Sequence, residues 1–235
     1  MEKLPIFGTP ITPVHLLSEL AGESFCVSFA TKRDAEVERI IPMVGRMLML
    51  DNGAYSAWQK GGDEPFLRPE YLESYETWAL GIMERCPVAV GVVADTITGS
   101  TEQNRALYKS TRLPRDRAMV VFHMHESDEY LEELLRAGFA YVAIGSSGEY
   151  AKPGTADWHC RMAAIMAVID RVEAATGRRP HVHMMRAQAQ HKLYAWDSSD
   201  STNLAVNHCR YKDQGAGYVR RFADRIHATV TGEAA

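Results

Sequence analysis

The sequence is poor in the features that mark most specialised protein classes. It holds four cysteines, Cys26, Cys86, Cys160 and Cys209. They lie far apart, with no CxxC pair and no Cys/His cluster, which excludes a structural zinc module and a disulfide scaffold. No apolar run approaches the roughly 20 residues that a membrane helix needs. The opening MEKLPIFGTP lacks the apolar stretch of a signal peptide. A soluble, cytoplasmic protein with no membrane partner is therefore expected. Neither GxGxxG after the first strand nor GxxxxGK[ST] occurs, so both common phosphate-cradling loops are missing. Positive charge is not in excess either: 26 Lys and Arg stand against 30 Asp and Glu, for a formal net charge of −4. That balance argues against nucleic-acid binding over the whole surface, but it leaves room for a local basic rim.

What is present is an alternation of short β-rich runs with helical stretches. The predicted strands are residues 25–30 (FCVSFA), 47–51 (MLMLD), 88–95 (VAVGVVAD), 118–123 (AMVVFH), 140–145 (AYVAIG), 181–185 (HVHMM) and 194–197 (YAWD), with 204–207 (LAVN) as a weak eighth. Between them, residues 69–85 place Tyr71, Leu72, Tyr75, Trp78, Ala79 and Ile82 on one apolar stripe. A helix over 128–137 follows Ser127 as N-cap, and one over 158–176 ends at Gly177 as C-cap. The methionines of that last helix are expected in the core. Continuous apolar strands separated by helices imply parallel strands buried on both faces. Seven or eight such units in 235 residues predict one domain over residues 1–235, a (β/α)8 barrel, with a doubly wound open sheet as the alternative.

Several predicted strands run apolar and stop on a polar residue: Asp51, Asp95, His123, Gly145 followed by Ser146, and Asp197 with Asp200 just beyond. Barrel active sites collect at such strand ends. One aspartate alone also fits a helix cap, but several at equivalent ends favour a shared site. Paired carboxylates suit substitution at an anomeric carbon, where one attacks the sugar and the other handles the leaving group's proton.

The stretch Leu50-Asp51-Asn52-Gly53-Ala54-Tyr55-Ser56-Ala57-Trp58 resembles the DSGGFQ or DSGAFS element of tRNA-guanine transglycosylases and their DNA-acting relatives. His183-Met184-Met185-Arg186, then Trp196-Asp197-Ser198-Ser199-Asp200-Ser201-Thr202, resembles that superfamily's HGxG-like element followed by its DxxD nucleophile element, with Val142-Ala143-Ile144-Gly145 between the two. The order matches over roughly residues 25–205. The chain is most similar to the short, phage-type 7-deazaguanine DNA-modification transglycosylases. The resemblance implies a (β/α)8 barrel that exchanges guanine in DNA for a 7-deazaguanine base such as preQ0, without cofactor or metal. For a phage-borne enzyme this would happen in the host-cell cytoplasm. The oligomeric state stays open, homodimers being common in the family.

By position, the resemblance implies Asp200 as nucleophile and Asp51 as general acid/base. It implies Asp95, Gly145, Ser146, Tyr55 and His183 around the base. Asp197 is a helper or second candidate nucleophile. The chain departs from the family at three places. The C-terminal zinc site of the tRNA enzymes is absent, which points from tRNA towards DNA. Asn52 replaces a serine. Arg186 stands where a glycine is expected; it suits a phosphate, a base edge or an ion pair with an aspartate. Tyr55, Trp58 and Phe122 are candidates for stacking on a base, with Trp58 expected to pack as core instead. His123 with His125, and His181 with His183, have strand spacing but no evident third metal ligand. Of the basic residues, Arg178 and Arg179 are expected as solvated charge on the barrel's bottom face. Arg210, Lys212, Arg220 and Arg221 are the better candidates for phosphate contacts. The competing functions are a tRNA-guanine transglycosylase, a nucleoside or glycoside hydrolase using the same carboxylates, and a barrel that binds without catalysis.

Overall fold

In the computed structural model, which describes residues 3–31, 34–59 and 68–232, eight parallel strands close on themselves in chain order. They are β1 (Leu4–Gly8), β2 (Ser24–Ser28), β3 (Leu48–Asp51), β4 (Ala89–Val92), β5 (Ala118–His123), β6 (Tyr141–Gly145), β7 (His181–Met184) and β8 (Ser198–Ser201). The α-helices are α1 (Asp34–Ile40), α2 (Ala54–Gln59), α3 (Pro69–Arg85), α4 (Thr101–Ser110), α5 (Asp128–Arg136), α6 (Ala156–Thr176), α7 (Asn203–Asn207) and α8 (Tyr218–Thr231). The molecule is a (β/α)8 barrel, as the strand and helix alternation predicts.

Strand alternation builds two apolar layers. Phe7, Phe25, Leu50, Val120, Phe122 and Val182 face outward and join helix residues such as Tyr75, Ile82, Leu131 and Ile165 in one cluster. The intervening residues, among them Ile6, Met49, Val92, Val121 and Ala143, fill the barrel interior. The interior is thus a packed plug, and only the strand ends are open to carry polar chemistry.

Local signals set the helix ends. The hydroxyls of Ser127 and Thr155 accept the backbone N–H groups of Tyr130 and Trp158, and Ser100 with Gln103 forms a reciprocal capping box. Gly177 ends α6 at φ 67°, a left-handed conformation that glycine adopts without cost. Met162 of α6 is buried, so the methionine stripe packs as core.

Three strand expectations need correction. β1 was not anticipated. The residues 194–197 lie ahead of β8 rather than in a strand, and 204–207 belong to α7. β8 reads SSDS, a polar strand in a buried place. Its cost is offset by histidines: Ser198 Oγ lies 2.7 Å from His181 Nε2 and 2.8 Å from His183 Nδ1, and Ser199 Oγ lies 2.6 Å from His191 Nδ1. Buried hydroxyls with such partners are tolerated where unpaired ones are not.

Candidate active site

Asp51 is the last residue of β3, so the strand register aims its carboxylate into the barrel mouth beside Ser28 of β2. The turn after it is held tightly. Gly53 sits at φ 89°, and a Cβ there would come within 2.6 Å of the Ala30 Cβ, so glycine is required. Its N–H donates to Asp51 Oδ2 at 3.2 Å. Asn52 bridges strands: its Oδ1 accepts the Ala54 N–H, while its Nδ2 donates to the Val93 carbonyl and to Asp95 Oδ1 at 2.8 Å. A serine could not span both contacts, which accounts for asparagine at this position. The Tyr75 hydroxyl lies within hydrogen-bond reach of the Leu50 and Val92 carbonyls and ties the ends of β3 and β4 together.

A cavity of about 320 Å³ opens above these residues. It is lined by Asp51, Tyr55, Trp58, Asp95, His123, Gly145, Ser146 and Arg186, among others. Its size falls at the lower end of the range for small-molecule pockets (about 300–1,000 Å³). Asp95 is only 7% exposed, and both its oxygens have partners: Oδ1 takes Asn52, and Oδ2 lies 2.9 Å from His123 Nε2. Gly145 leaves room beside His123, whose Nδ1 would be 3.2 Å from an added Cβ. Ser146 Oγ accepts the Trp158 indole N–H.

Asp200 lies beside this cavity rather than among its lining residues, with a side chain 13% exposed. His183 Nε2 at 3.2 Å and the Arg186 backbone N–H at 2.9 Å both meet its Oδ1. Oδ2 is therefore the oxygen left for other chemistry. Behind it, His183 Nδ1 lies 2.8 Å from Ser198 Oγ, and the same oxygen lies 2.7 Å from His181 Nε2. A four-member file, His181–Ser198–His183–Asp200, thus runs up the barrel interior.

Arg186 holds φ at 59°, the sole positive φ among described non-glycine residues. This is the left-handed region that favours glycine, so the backbone keeps the geometry a glycine would supply, and the turn delivers the N–H to Asp200. Its guanidinium lies over the Tyr55 ring, a cation–π contact.

The two carboxylates are driven apart. Burial lifts the Asp51 carboxyl to about 6, and the Asp95 and Asp200 charges push the same way against the Ser28 hydroxyl and the Arg186 guanidinium. For Asp200, burial also pushes upward, but the hydrogen bond and charge of His183, with the Arg186 N–H and guanidinium, outweigh it and hold this carboxyl below its ordinary range. One group keeps its proton up to about pH 6 while the other is already an anion well below that, so the two environments push neighbouring carboxyls apart. Cys26, between them in the interior, is pushed well up by burial and by both aspartates, so its thiol stays protonated.

The structure brings together Asp51, Tyr55, Asp95, Gly145, Ser146, Arg186 and, at the margin, Asp200. It moves others. His183 is fully buried and faces Asp200 and Ser198 instead of lining the cavity. Asp197 precedes β8 at the opposite end of the barrel, where its Oδ2 accepts the Val182 N–H at 2.7 Å; it fastens β7 and is no helper. Phe122 is buried in the outer core. Trp58, expected as core, is 40% exposed and lines the cavity. His125 lies past the end of β5 and contacts Ser147. Among the described residues no group of three or more His, Cys, Asp or Glu is placed to hold a metal ion. Arg179 pairs with Asp170 and Glu173 rather than standing in solvent, and Arg178 donates to the Leu135 and Phe139 carbonyls. Arg220 is bound by Glu19 and Glu23, and Arg221 by carbonyls of its own loop, so neither is available for phosphate.

No protein-family model matches this chain, and no curated protein matches it. Among solved structures, it is similar to tryptophan synthase from M. tuberculosis, at 15% identity over 97% of this chain and 94% of that one, with a TM-score of 0.53. It is also similar to mandelate oxidase, at 13% identity over 97% and 72% of the two chains, with a TM-score of 0.52. Both neighbours are enzymes, and at this identity the likeness shows the barrel fold alone. No helix of the described residues is long and apolar enough to cross a membrane.

Proposed function

We propose that this barrel is a pentosyltransferase that exchanges guanine in DNA for a 7-deazaguanine base, with Asp200 as nucleophile and Asp51 as general acid/base. The observation that carries the reading is the pairing at one barrel mouth of a buried carboxyl lifted to about 6 with a neighbouring carboxylate held low. The sequence resemblance supplies the substrate class.

The target nucleotide is flipped into the cavity, because C1′ is out of reach within a duplex. Asp200 Oδ2 attacks C1′, the bond from C1′ to the guanine nitrogen breaks, and Asp51 gives its proton to the departing base. A sugar–aspartyl ester results. The 7-deazaguanine enters, loses its ring N–H proton to the Asp51 carboxylate, and attacks C1′, releasing Asp200 as carboxylate. Two inversions give net retention, and Asp51 ends protonated as it began, its first proton having left with guanine and the second having come from the deazapurine. Tyr55 and the exposed face of Trp58 offer stacking surfaces for the base, and Arg186 keeps both carboxylates from rising further. His183 acts through Asp200 and is a positioning residue.

Mass spectrometry of nucleosides from DNA incubated with the protein and preQ0 tests the reading. Incorporated deazapurine with release of an equal amount of guanine is expected. Guanine release without incorporation would move the protein to the hydrolases, and modification of tRNA with DNA untouched would overturn the DNA assignment.

A further inference from the structure

A second cavity, of about 430 Å³, adjoins the first, and the two share Arg186. It lies between the segments following β7 and β8 and the helix α8. Its lining includes Gln188, Ser201, Asn203 and Tyr211, together with Arg225 from α8. Two guanidiniums border this space, and among the described residues no Asp or Glu lines it. The chain as a whole is acidic, at −4; Arg186 already acts on the Asp51 and Asp200 charges, so Arg225 is the cation that this cavity adds.

Arg225 is fixed without being neutralised. Its guanidinium lies 4.5 Å from the Tyr211 ring centroid and 5.6 Å from that of Phe222. Aromatic faces orient a guanidinium while leaving its full charge to act on a ligand. This contrasts with Arg220, on the same helix, whose charge is already met by Glu23. Neutral donors on the wall, such as the Asn203 amide and the Gln188 amide, complete a setting that favours an oxyanion over a cation or an apolar group.

We infer that this second cavity is a phosphate subsite, in which Arg225 and Arg186 hold a phosphodiester of the substrate strand next to the nucleotide being exchanged. The identity of the strand rests on the base-exchange reading; the presence of an anion site rests only on the cavity. The shared wall at Arg186 places the subsite one step from the reacting sugar. That is where a nucleotide differs from a free nucleoside, so the cavity selects strands over nucleosides. Phosphate contacts of this kind position a strand and carry no sequence preference.

The test is fluorescence anisotropy with a short, labelled, guanine-containing single-stranded oligonucleotide. Inorganic phosphate and deoxyguanosine serve as competitors, and the salt concentration is varied between about 50 and 200 mM. Arg225 is exposed, so Arg225→Gln is expected to fold normally. It should bind the oligonucleotide about tenfold more weakly at low salt and lower the salt slope by about 0.7, the share of one phosphate on a single strand. Arg225→Lys should keep the slope. Deoxyguanosine should compete equally in parent and Arg225→Gln, since it occupies only the first cavity. Parental affinity and slope in Arg225→Gln overturn the subsite. Inorganic phosphate binding through Arg225 as tightly as the oligonucleotide overturns the strand assignment and makes this a free-phosphate site. Arg225-dependent strand binding in a protein that exchanges no base would leave the subsite standing and sink the base-exchange reading instead.

Discussion

Asp51→Asn is expected to make the protein more stable than its parent above about pH 6, while the two converge near pH 4. In the folded chain the Asp51 carboxyl keeps its proton to about 6, because burial and two neighbouring carboxylates disfavour the charge. In the unfolded chain the proton leaves near about 3.9. Between those values the folded state binds more protons, so stability falls as pH rises. The contribution of this raised group is fully present below the unfolded value and is lost on passing through the folded one. At ~1.36 kcal/mol per pH decade, the gap amounts to ~3 kcal/mol. Asparagine retains an oxygen to accept the Gly53 N–H and carries no charge to desolvate. For a chain of this length the gain corresponds to roughly 6–12 °C in Tm. Urea melts of both proteins at about pH 8, 6 and 4 measure it. The variant should lose base exchange while gaining stability, since its proton-carrying group is gone. A variant equally or less stable than the parent at every pH would refute the claim that Asp51 is a costly buried charge, and with it the assignment of Asp51 as the acid.

Three further outcomes follow from the same geometry. Asp200→Asn should keep the fold and lower exchange by at least about 10³-fold, read as turnover of labelled base. His183→Gln should cost about 1–3 kcal/mol of stability, because it breaks a buried hydrogen-bonded file. The same change should lower kcat more than KM and move the acid limb of the pH–rate profile upward, as Asp200 loses the partner that holds its carboxyl low; an unmoved acid limb would reduce His183 to packing. Trp58→Ala should leave the melting temperature unchanged and weaken strand or base binding by about 5- to 150-fold, the worth of one stacking contact of about 1–3 kcal/mol.

The barrel was legible because its strands carry their own signal. VVF and VAI runs bounded by helices announce parallel strands buried on both sides. The two missed strands have local causes. β1, LPIFG, is a short run carrying Pro5 and Gly8, residues that punctuate chains more often than they build strands. β8, SSDS, has no apolar pattern at all. Its burial is made tolerable by His181, His183 and His191, partners that only the closed barrel brings near. Asp51 could be found from the residues, since MLML leads straight into it. Asp200 was reached only indirectly, as a residue just beyond the misread strand YAWD and through the motif resemblance, because its own strand is invisible to hydropathy. Trp58 was misassigned because nothing in the sequence distinguishes an indole that caps a cavity from one that packs beneath a loop. Arg225 carried no signal. Its charge matters because no described Asp or Glu lines the cavity it borders, and such an arrangement in three dimensions leaves no trace in one.

The central claim is that Asp200 forms a covalent bond to the sugar while Asp51 serves the proton. Its most direct test is a denaturing gel of the protein mixed with end-labelled, guanine-containing single-stranded DNA, without added deazapurine. The parent should carry label in a protein-sized band that chases away when preQ0 is supplied, and Asp200→Asn should carry none. Label retained by Asp200→Asn, or base exchange proceeding in the parent with no adduct at any time, would contradict the account.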